Sequence, residues 1–227
     1  MQNKRVVITG GFGVLGRAAA AVAKEQGAHV SLIDFADPPN DPPPHDVVVA
    51  NIDLTRFEDA QRAIEAVREQ AGSIDALLNI AGGFAWRPIA EGDTEVWERM
   101  YGLNVKTALH AAKAALPHLI ESGGAIVNVG SAAAALVQAA QGMGAYTAAK
   151  AGVHKLTESL AEELKGRVRV NAVLPSVLDT PQNRRDMPQV DPSLWVAPSD
   201  LARVMLFLAS DAARAVTGAL LPVTGRT

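Results

Sequence analysis

Short apolar runs of strand length alternate with longer helical patterns along the chain, and this alternation restricts the fold more than any other feature. Several runs lack the alternating polar residues of a half-exposed strand, as is typical of strands covered on both faces of a parallel sheet. The predicted strands are 5–9, 30–34, 47–50, 76–80, 125–130, 168–174 and 220–223. The predicted helices are 14–26, 55–71, 94–120, 144–165 and 199–209. Strands that alternate with helices indicate a parallel α/β sheet.

The composition of the 227 residues excludes several classes of site. The chain has no cysteine, so disulfides, thiolate zinc sites, iron–sulfur clusters and a cysteine nucleophile are excluded. Its net charge of −3 offers no basic surface for nucleic acid or an anionic membrane. Neither a signal-peptide pattern nor an apolar run of about 18 residues is present. We expect a single domain over residues 1–227, located in the cytoplasm, with no nucleic-acid or membrane partner.

The segment between the second and third predicted strands is rich in proline. Residues 37–46 contain five prolines, which break helix interiors. The segment therefore predicts an extended crossover in place of a helix. A polyproline turn that docks a partner is the alternative.

A glycine-rich turn joins the first predicted strand to the first predicted helix. It fits both G-x-G-x-x-G and T-G-x-x-G-x-x-G. Glycines in this position let the backbone approach a pyrophosphate that rests on the amides of a helix N-terminus. A purely structural turn is the alternative. The candidate cofactor-binding residues of the turn are Thr9, Gly10, Gly11, Phe12, Gly13, Val14, Leu15 and Gly16.

An acidic residue ends the second predicted strand. Asp34 lies 18 residues after Gly16, where a carboxylate can accept hydrogen bonds from both ribose hydroxyls of an adenosine. The same charge would repel a 2′-phosphate, and the next two residues, Phe35 and Ala36, carry no cation. These residues predict NAD(H) as the cofactor in preference to NADP(H). A carboxylate that only caps a loop is the alternative for Asp34.

Tyr146 and Lys150 are four residues apart at the start of a predicted helix, so they lie on one helix face. A lysine about 5 Å away favours the phenolate by about 3 kcal/mol, or roughly two pKa units. The pair therefore predicts a tyrosine whose pKa, ordinarily about 10, is lowered toward the range useful for proton transfer. As a bare spacing the pair also occurs on solvated helix faces.

Together these features resemble the short-chain dehydrogenase/reductase family, over essentially the whole chain. The resemblance implies that Asp53 contacts the adenine amine and that Thr180 bonds the nicotinamide carboxamide. It also implies that Asn104, Ser131, Tyr146 and Lys150 form a catalytic tetrad. The other positions that the resemblance assigns to the cofactor are Leu54, Asn79, Ala81, Gly82, Pro175 and Val177, in addition to Tyr146 and Lys150.

The resemblance implies a role for each catalytic residue. Tyr146 exchanges a proton with the reacting group during hydride transfer, and Lys150 holds the nicotinamide ribose and stabilises the phenolate. Ser131 hydrogen-bonds the reacting group, and Asn104 holds a water in a proton relay. The alternatives are that Asn104 only repairs an irregular helix and that Ser131 only caps a strand.

Four features depart from the usual pattern of the family. Ile80 replaces the usual second Asn of N-N-A-G, and Ser176 stands where glycine is usual. Val14 occupies the middle glycine position of T-G-x-x-x-G-x-G, and Gly13 stands one residue earlier. Ser131 and Tyr146 are 15 residues apart, slightly more than is common, which predicts a bulge in the Ala-rich loop between them.

The segments expected to face the substrate resemble the dihydropteridine reductase branch of the family. That branch is also short between strands two and three, and it reduces quinonoid dihydropterin with NADH. Within this resemblance Phe84, Trp86 and Trp195 are candidates to stack on a flat heterocycle, with a substrate loop over about 176–198. The alternative is that these aromatic side chains only fill a pocket or an interface.

The combined prediction is a single-domain, doubly wound α/β fold with sheet order 3-2-1-4-5-6-7. It predicts an NAD(H)-dependent oxidoreductase acting on a small carbonyl or imine, with quinonoid dihydropterin as one candidate. The alternatives are a 3-oxoacyl-thioester reductase, a secondary alcohol dehydrogenase and, more remotely, a non-catalytic dinucleotide-sensing regulator. The resemblance implies a homodimer or homotetramer through helices 94–120 and 144–165. The five histidines lack metal-ligand spacing, so no metal is expected.

Overall fold

The computed structural model describes residues 1–136 and 141–226, and its centre is a seven-stranded parallel sheet. The strand order is β3-β2-β1-β4-β5-β6-β7, which confirms the predicted fold class and order. Each strand lies within one residue of its predicted bounds. The strands are β1 (Arg5–Thr9), β2 (His29–Ile33), β3 (Val47–Val49), β4 (Ala76–Asn79), β5 (Ala125–Val129), β6 (Arg169–Pro175) and β7 (Leu220–Val223).

Seven α-helices lie among the described residues, and they correct two predictions. The predicted single helix over 94–120 is two helices joined by a π-helical turn at Gly102–Lys106. The predicted substrate loop over 176–198 contains a short helix. The helices are α1 (Val14–Glu25), α2 (Phe57–Ala71), α3 (Glu95–Tyr101), α4 (Thr107–Ser122), α5 (Gly144–Glu163), α6 (Pro181–Asp186) and α7 (Pro198–Ala209). The predicted bulge between Ser131 and Tyr146 includes 137–140, which lie outside the described residues, so it stays a prediction.

Both faces of the sheet are covered, as the apolar strands predict. Along β1, Val6 and Ile8 face the layer that contains α1 and α7, whereas Val7 faces the layer that contains α2 and α4. Successive side chains of a strand point to opposite faces, so an uninterrupted apolar strand requires two cores. The sheet therefore lies between two buried apolar layers.

The proline-rich crossover between β2 and β3 contains no helix or strand over residues 34–46. Polar contacts hold it against the rest of the chain. The Arg17 guanidinium lies 3.3 Å from Asp41, and the Asn51 side chain donates to Asp37 at 2.9 Å. This finding agrees with the extended crossover that the prolines predict.

The strand order creates a crevice at the carboxyl ends of β1 and β4. From β1 the chain passes outward through β2 to β3 and then crosses to β4, on the other side of β1. Ligands of doubly wound sheets bind at such a reversal of strand order. The fold therefore places the glycine turn after β1 beside Ile80, Ala81 and Gly82 after β4.

Arg169, at the start of β6, caps the carboxyl end of α7. Its half-buried guanidinium donates to the backbone carbonyls of Leu208, Ala209, Ser210 and Ala213 at 2.6–3.2 Å. Carbonyls at a helix end lack partners within the helix, and a cation there also interacts favourably with the helix dipole.

We expect Arg169→Met to lower the free energy of unfolding by about 2–3 kcal/mol, because charged hydrogen bonds to several carbonyls are lost. Urea denaturation measures the change. Arg167→Met is the matched control, since its exposed guanidinium donates only to the Glu163 carbonyl, and we expect a change within about 0.5 kcal/mol. Equal losses in the two variants would contradict the capping role of Arg169.

Candidate active site

The ends of β1 and β4 are held together by one buried hydroxyl. Thr9 Oγ1 accepts hydrogen bonds from the backbone N–H groups of Ile80 and Ala81, each at 3.1 Å. Gly10 follows with a φ of +66°, and a Cβ there would lie 2.9 Å from the Ala81 nitrogen. Thr9 and Gly10 therefore shape the crevice through its backbone, and the Thr9 hydroxyl is already committed to the fold.

Glycine is present at different positions of the turn for different physical reasons. A Cβ on Gly16 would overlap the Gly10 carbonyl oxygen, so the packing of the turn itself requires glycine there. At Gly13 a Cβ would meet nothing nearer than that same oxygen at 3.4 Å. Gly13 lines the crevice, so its missing side chain leaves room for a ligand at the N-terminus of α1. Val14, the departure from the usual pattern, lines the same crevice.

The crevice is a cavity of about 600 Å³ that extends from the glycine turn to the end of β3. Its lining includes the carboxylates of Asp34 and Asp53 and no lysine, arginine or histidine. Several residues that the sequence assigns to the cofactor lie together in this cavity. The lining also includes residues that the sequence did not assign, among them Phe35, Ile52, Thr55, Leu103 and Thr107. The assigned residues that line the cavity are Gly10, Gly13, Val14, Leu15, Asp34, Asp53, Leu54, Ala81 and Gly82.

Asp34 reaches back to the glycine turn. Its Oδ2 accepts from the Phe12 backbone N–H at 2.8 Å, and its Oδ1 accepts from the Ala36 N–H at 3.0 Å. Each carboxylate oxygen has a second lone pair, which leaves acceptors for ribose hydroxyls. Asp53 is arranged similarly, since one of its oxygens accepts from both the N–H and the hydroxyl of Thr55. The two carboxylates thus offer acceptors for the hydroxyl and amine groups of an adenosine.

Asn79 points elsewhere. Its side chain is buried, with Nδ2 donating to Asn128 Oδ1 at 2.9 Å and to the Ala108 carbonyl at 3.3 Å. The Asn128 amide in turn donates to Thr157 Oγ1 at 2.9 Å. The Asn79 side chain thus ties β4 to β5 and to α4, and a contact between Asn79 and the cofactor stays a prediction.

Ser131, Tyr146 and Lys150 meet beyond the carboxyl end of β5. The Ser131 hydroxyl lies near the Tyr146 phenol and acts to lower the pKa of that phenol. Lys150 is 6% exposed, its Nζ donates to the Val129 carbonyl at 2.8 Å, and it lies 5.9 Å from the centroid of the Tyr146 ring. The predicted helix face is therefore present, with a hydroxyl, a phenol and an ammonium in one buried group.

The pKa of Tyr146 corrects a prediction. Burial raises the pKa of Tyr146 above its ordinary value, and this effect outweighs that of the nearby Ser131 hydroxyl, which lowers it. Burial also lowers the pKa of Lys150 to about 8. The lysine was expected to lower the tyrosine pKa, but the sequence could not show that both groups are desolvated.

Asn104 lies in the π-helical turn, which leaves the Met100 carbonyl to be satisfied by a side chain. Asn104 Nδ2 donates to that carbonyl at 2.9 Å and to the Gly83 carbonyl at 3.1 Å, while its Oδ1 accepts from the Gly83 N–H at 3.3 Å. Asn104 thus repairs the irregular helix and clamps the loop after β4. A Cβ on Gly82 would lie 2.7 Å from Asn104 Oδ1 and 3.6 Å from Lys150 Nζ, so Gly82 joins the cavity to the catalytic group. The water relay stays a prediction.

The segment after β6 is fixed by its own polar contacts. The Val177 carbonyl accepts from the Val196 N–H at 2.9 Å, and Thr180 Oγ1 accepts from the Asn183 N–H at 3.1 Å as the N-cap of α6. Pro175 ends β6 beside these residues. The Thr180 hydroxyl proton remains available as a donor, and the bond to a carboxamide stays a prediction.

The three aromatic candidates for substrate stacking do not share one environment. Phe84 is 60% exposed and meets the Tyr146 ring edge-on at 5.0 Å between centroids, and Trp86 is 53% exposed and lies against Gly142. Trp195 is 5% exposed, so its ring offers no free face for stacking. Phe84 thus lies beside Tyr146 and Trp86 lies beside Gly142, and the burial of Trp195 corrects the expectation for that ring.

His154 is a buried residue near the catalytic group that the sequence analysis did not select. Its Nε2 accepts from the Ser131 backbone N–H at 3.3 Å. The available signal was its position, four residues after Lys150 on the same helix face. Among the described residues there is no cluster of three or more histidine and carboxylate side chains that could hold a metal. No described helix is long and apolar enough to cross a membrane.

We expect Lys150→Met to stabilise the cofactor-free protein by about 2 kcal/mol at pH 7. The fall in the lysine pKa from 10.5 to about 8 corresponds to a cost of about 3 kcal/mol for burying the charge, and the lost bond to Val129 offsets about 1 kcal/mol. Because the unfolded chain binds the extra proton between pH 8 and 10.5, the wild type gains stability as pH rises through that range. Urea denaturation at pH 7 and pH 10 measures both effects. A variant less stable than wild type at pH 7 would contradict this account.

Comparisons with known proteins agree with this geometry. The family model described as short chain dehydrogenase matches residues 4–191. The chain is 35% identical to meso-2,3-butanediol dehydrogenase of Serratia marcescens, with 98% of this chain and 94% of that protein aligned. It is 29% identical to a 3-oxoacyl-(acyl-carrier-protein) reductase of Thermotoga maritima, over 99% and 98% of the two chains.

The fold also matches the folds of solved structures. Carveol dehydrogenase from Mycobacterium avium, solved in complex with NAD, superposes with a TM-score of 0.86 at 28% identity, covering 99% of this chain and 97% of the other. The family model covers most of the chain, and the group of Ser131, Tyr146 and Lys150 adjoins the cavity at Gly82. The chain therefore belongs to the short-chain dehydrogenase family and is an oxidoreductase that binds a nicotinamide dinucleotide.

Proposed function

We propose that the protein is an NAD(H)-dependent oxidoreductase that interconverts a small, uncharged secondary alcohol and its ketone. The observation that carries the proposal is the buried group of Ser131, Tyr146 and Lys150, which adjoins the nucleotide cavity at Gly82. A serine hydroxyl near a phenol, with a buried ammonium beside them, is suited to moving a proton to or from a carbonyl oxygen.

The residues of the chain supply binding and proton transfer. The nicotinamide, when bound, supplies or accepts the hydride. Tyr146 donates its phenolic proton to the carbonyl oxygen in reduction and accepts it in oxidation. Ser131 hydrogen-bonds that oxygen and holds the phenol, and Lys150 offers its ammonium to the nicotinamide ribose. Because burial keeps the phenol protonated at neutral pH, the cofactor-free site is poised to donate a proton.

The preference for NAD(H) rests on the charge of the cavity. Asp34 and Asp53 line it, and no basic residue among the lining side chains could pair with a 2′-phosphate. A carboxylate beside such a phosphate is a like-charge contact in a partly desolvated site, which is unfavourable.

The rim beside Tyr146 favours a neutral substrate with an apolar face. Phe84 and Trp86 are exposed there and carry no charge. The relative from S. marcescens is named for a small diol, which fits this substrate class. Quinonoid dihydropterin, predicted from the substrate segments, is kept as a second candidate because the same two rings could stack on a flat heterocycle.

Two further sequence predictions stay predictions: the cytoplasmic location and assembly into a homodimer or homotetramer through the helices of 94–120 and 144–165. For assembly, the support is that Trp97 and Tyr101 are partly exposed on α3. Light scattering that gives the mass of one chain would contradict the oligomer.

We expect Tyr146→Phe to lower kcat by a factor of about 10²–10⁴, because the general acid is removed, and to leave NADH binding unchanged. Initial rates of NADH oxidation with butanedione, a cyclic ketone, a 3-oxoacyl thioester and quinonoid dihydropterin measure turnover and rank the substrates. Fluorescence titration measures binding of NADH.

Phe84→Leu is the control for packing against Tyr146, since it removes the aromatic ring of Phe84 and keeps the phenol of Tyr146. We expect its main effect to be on KM for the substrate. Full activity in Tyr146→Phe would overturn the proposed chemistry, and NADH binding without turnover of any carbonyl substrate would favour the dinucleotide-sensing alternative.

We expect Asp34→Asn to improve NADPH binding relative to NADH by at least about tenfold, because the like charge is removed while an acceptor for the Phe12 N–H is kept. Dissociation constants from fluorescence titration measure the ratio. Asp37→Asn is the matched control, an exposed carboxylate nearby that bonds Asn51 and lies outside the cavity lining. The same shift in both variants would contradict a local role for Asp34.

A further inference from the structure

The imidazole of His154 contacts the backbone of Ser131, the serine of the proposed catalytic group. His154 Nε2 lies 3.3 Å from the Ser131 backbone nitrogen, and both residues are buried. An N–H group can donate only to a nitrogen with a free lone pair, so the imidazole must be neutral with its proton on Nδ1. The hydrogen bond therefore specifies one tautomer and one charge state.

The neighbouring backbone makes room for this imidazole. A Cβ on Gly130 would lie 2.5 Å from His154 Nε2, so any other residue at 130 would push the ring away from Ser131. The Gly130 N–H is itself fixed, since it donates to the Val173 carbonyl at 2.8 Å. The turn after β5 is thus held by the sheet at Gly130 and by His154 at the next residue.

The Ser131 side chain depends on this position. Its hydroxyl accepts from the Ala133 N–H at 3.2 Å and lies near enough to the Tyr146 phenol to act on the pKa of that phenol. Because backbone and side chain are joined at Cα, a shift of the Ser131 backbone would misalign the hydroxyl with Tyr146. Small displacements of a group that orients the reacting atoms reduce turnover strongly.

We propose that His154 is a positioning residue that holds Ser131 in its active orientation only while the imidazole is neutral, which makes turnover sensitive to acid. This inference rests on the proposed function of Ser131, Tyr146 and Lys150. Protonation would place an N–H on Nε2 opposite the Ser131 N–H, and the two donors would repel.

The charges around His154 set the direction of the effect. Burial lowers its pKa below the ordinary 6.5, and Lys150 and Lys155 lower it further, while Glu158 acts in the opposite direction. Gly130, Ser131 and Leu174, which approach from outside α5, carry no charge. The imidazole is therefore neutral at pH 7, and Ser131 loses its support as the pH falls below the lowered pKa.

Two substitutions separate positioning from packing. His154→Gln places a neutral acceptor near the position of Nε2 that does not titrate, and His154→Leu keeps apolar volume without an acceptor. Initial rates are measured in the direction of carbonyl reduction, in which Tyr146 must be protonated, so the tyrosine itself does not cause a loss of rate in acid. Thermal unfolding confirms that each variant is folded.

We expect His154→Leu to lose about tenfold in kcat at pH 7, the effect of one lost hydrogen bond, with KM and NADH affinity unchanged. His154→Gln should keep most of the wild-type kcat at pH 7 and lose the decline in acid. If His154→Leu does not fold, the pH profile of His154→Gln decides alone. A decline in acid that is the same in wild type and His154→Gln would overturn the proposal.

A second readout does not need turnover. In NMR spectra of ¹⁵N-labelled protein, we expect the His154 imidazole to carry its proton on Nδ1 at pH 7, and the Ser131 amide shift to follow the titration of that imidazole. A Ser131 amide that does not respond would overturn the inference. If no carbonyl substrate is reduced while the two signals titrate together, the proposed function fails and the coupling of His154 to Ser131 stands.

Discussion

The crevice depends on the buried hydroxyl of Thr9. Parallel strands bring the ends of β1 and β4 side by side, but each end leaves backbone N–H groups without partners in the sheet. Thr9 Oγ1 accepts from two of these groups, at Ile80 and Ala81, and Gly10 can then turn against the Ala81 backbone. The glycine turn and the segment that ends at Gly82 are therefore held as opposite walls of one cavity.

The catalytic helix is fixed to the sheet by polar groups inside an apolar core. Thr157 on α5 accepts from Asn128, which in turn accepts from Asn79, so one chain of hydrogen bonds links the helix to two central strands. Hydrogen bonds between buried side chains fix the relative position of the elements that carry them. Lys150 adds a buried charge that donates to the Val129 carbonyl, so the protein gives up stability to keep an ammonium where it acts.

The features that could be predicted from the sequence are those that depend on local sequence patterns. Strand order, the Tyr146–Lys150 helix face and Asp34 beside the glycine turn all followed from periodicity, spacing and family resemblance. The π-helical turn did not, because the helical pattern continues on both sides of it and one inserted residue leaves little trace. The burial of Trp195, the raised pKa of Tyr146 and the contact from His154 to Ser131 depend on elements far apart in the chain, which no local pattern encodes.

The π-helical turn at Gly102–Lys106 also affects how the following helix, α4, is placed. A π turn contains one residue more than the α-helical turn it replaces, and such turns are frequent at functional sites. An extra residue kept in regular α-helical geometry would rotate everything beyond it by about 100°, and the wider π turn absorbs most of that rotation. Asn104 can therefore face both Met100 and Gly83 while α4 keeps its apolar face toward the sheet. The turn thus adds a side chain that holds the loop after β4 without changing how the following helix packs.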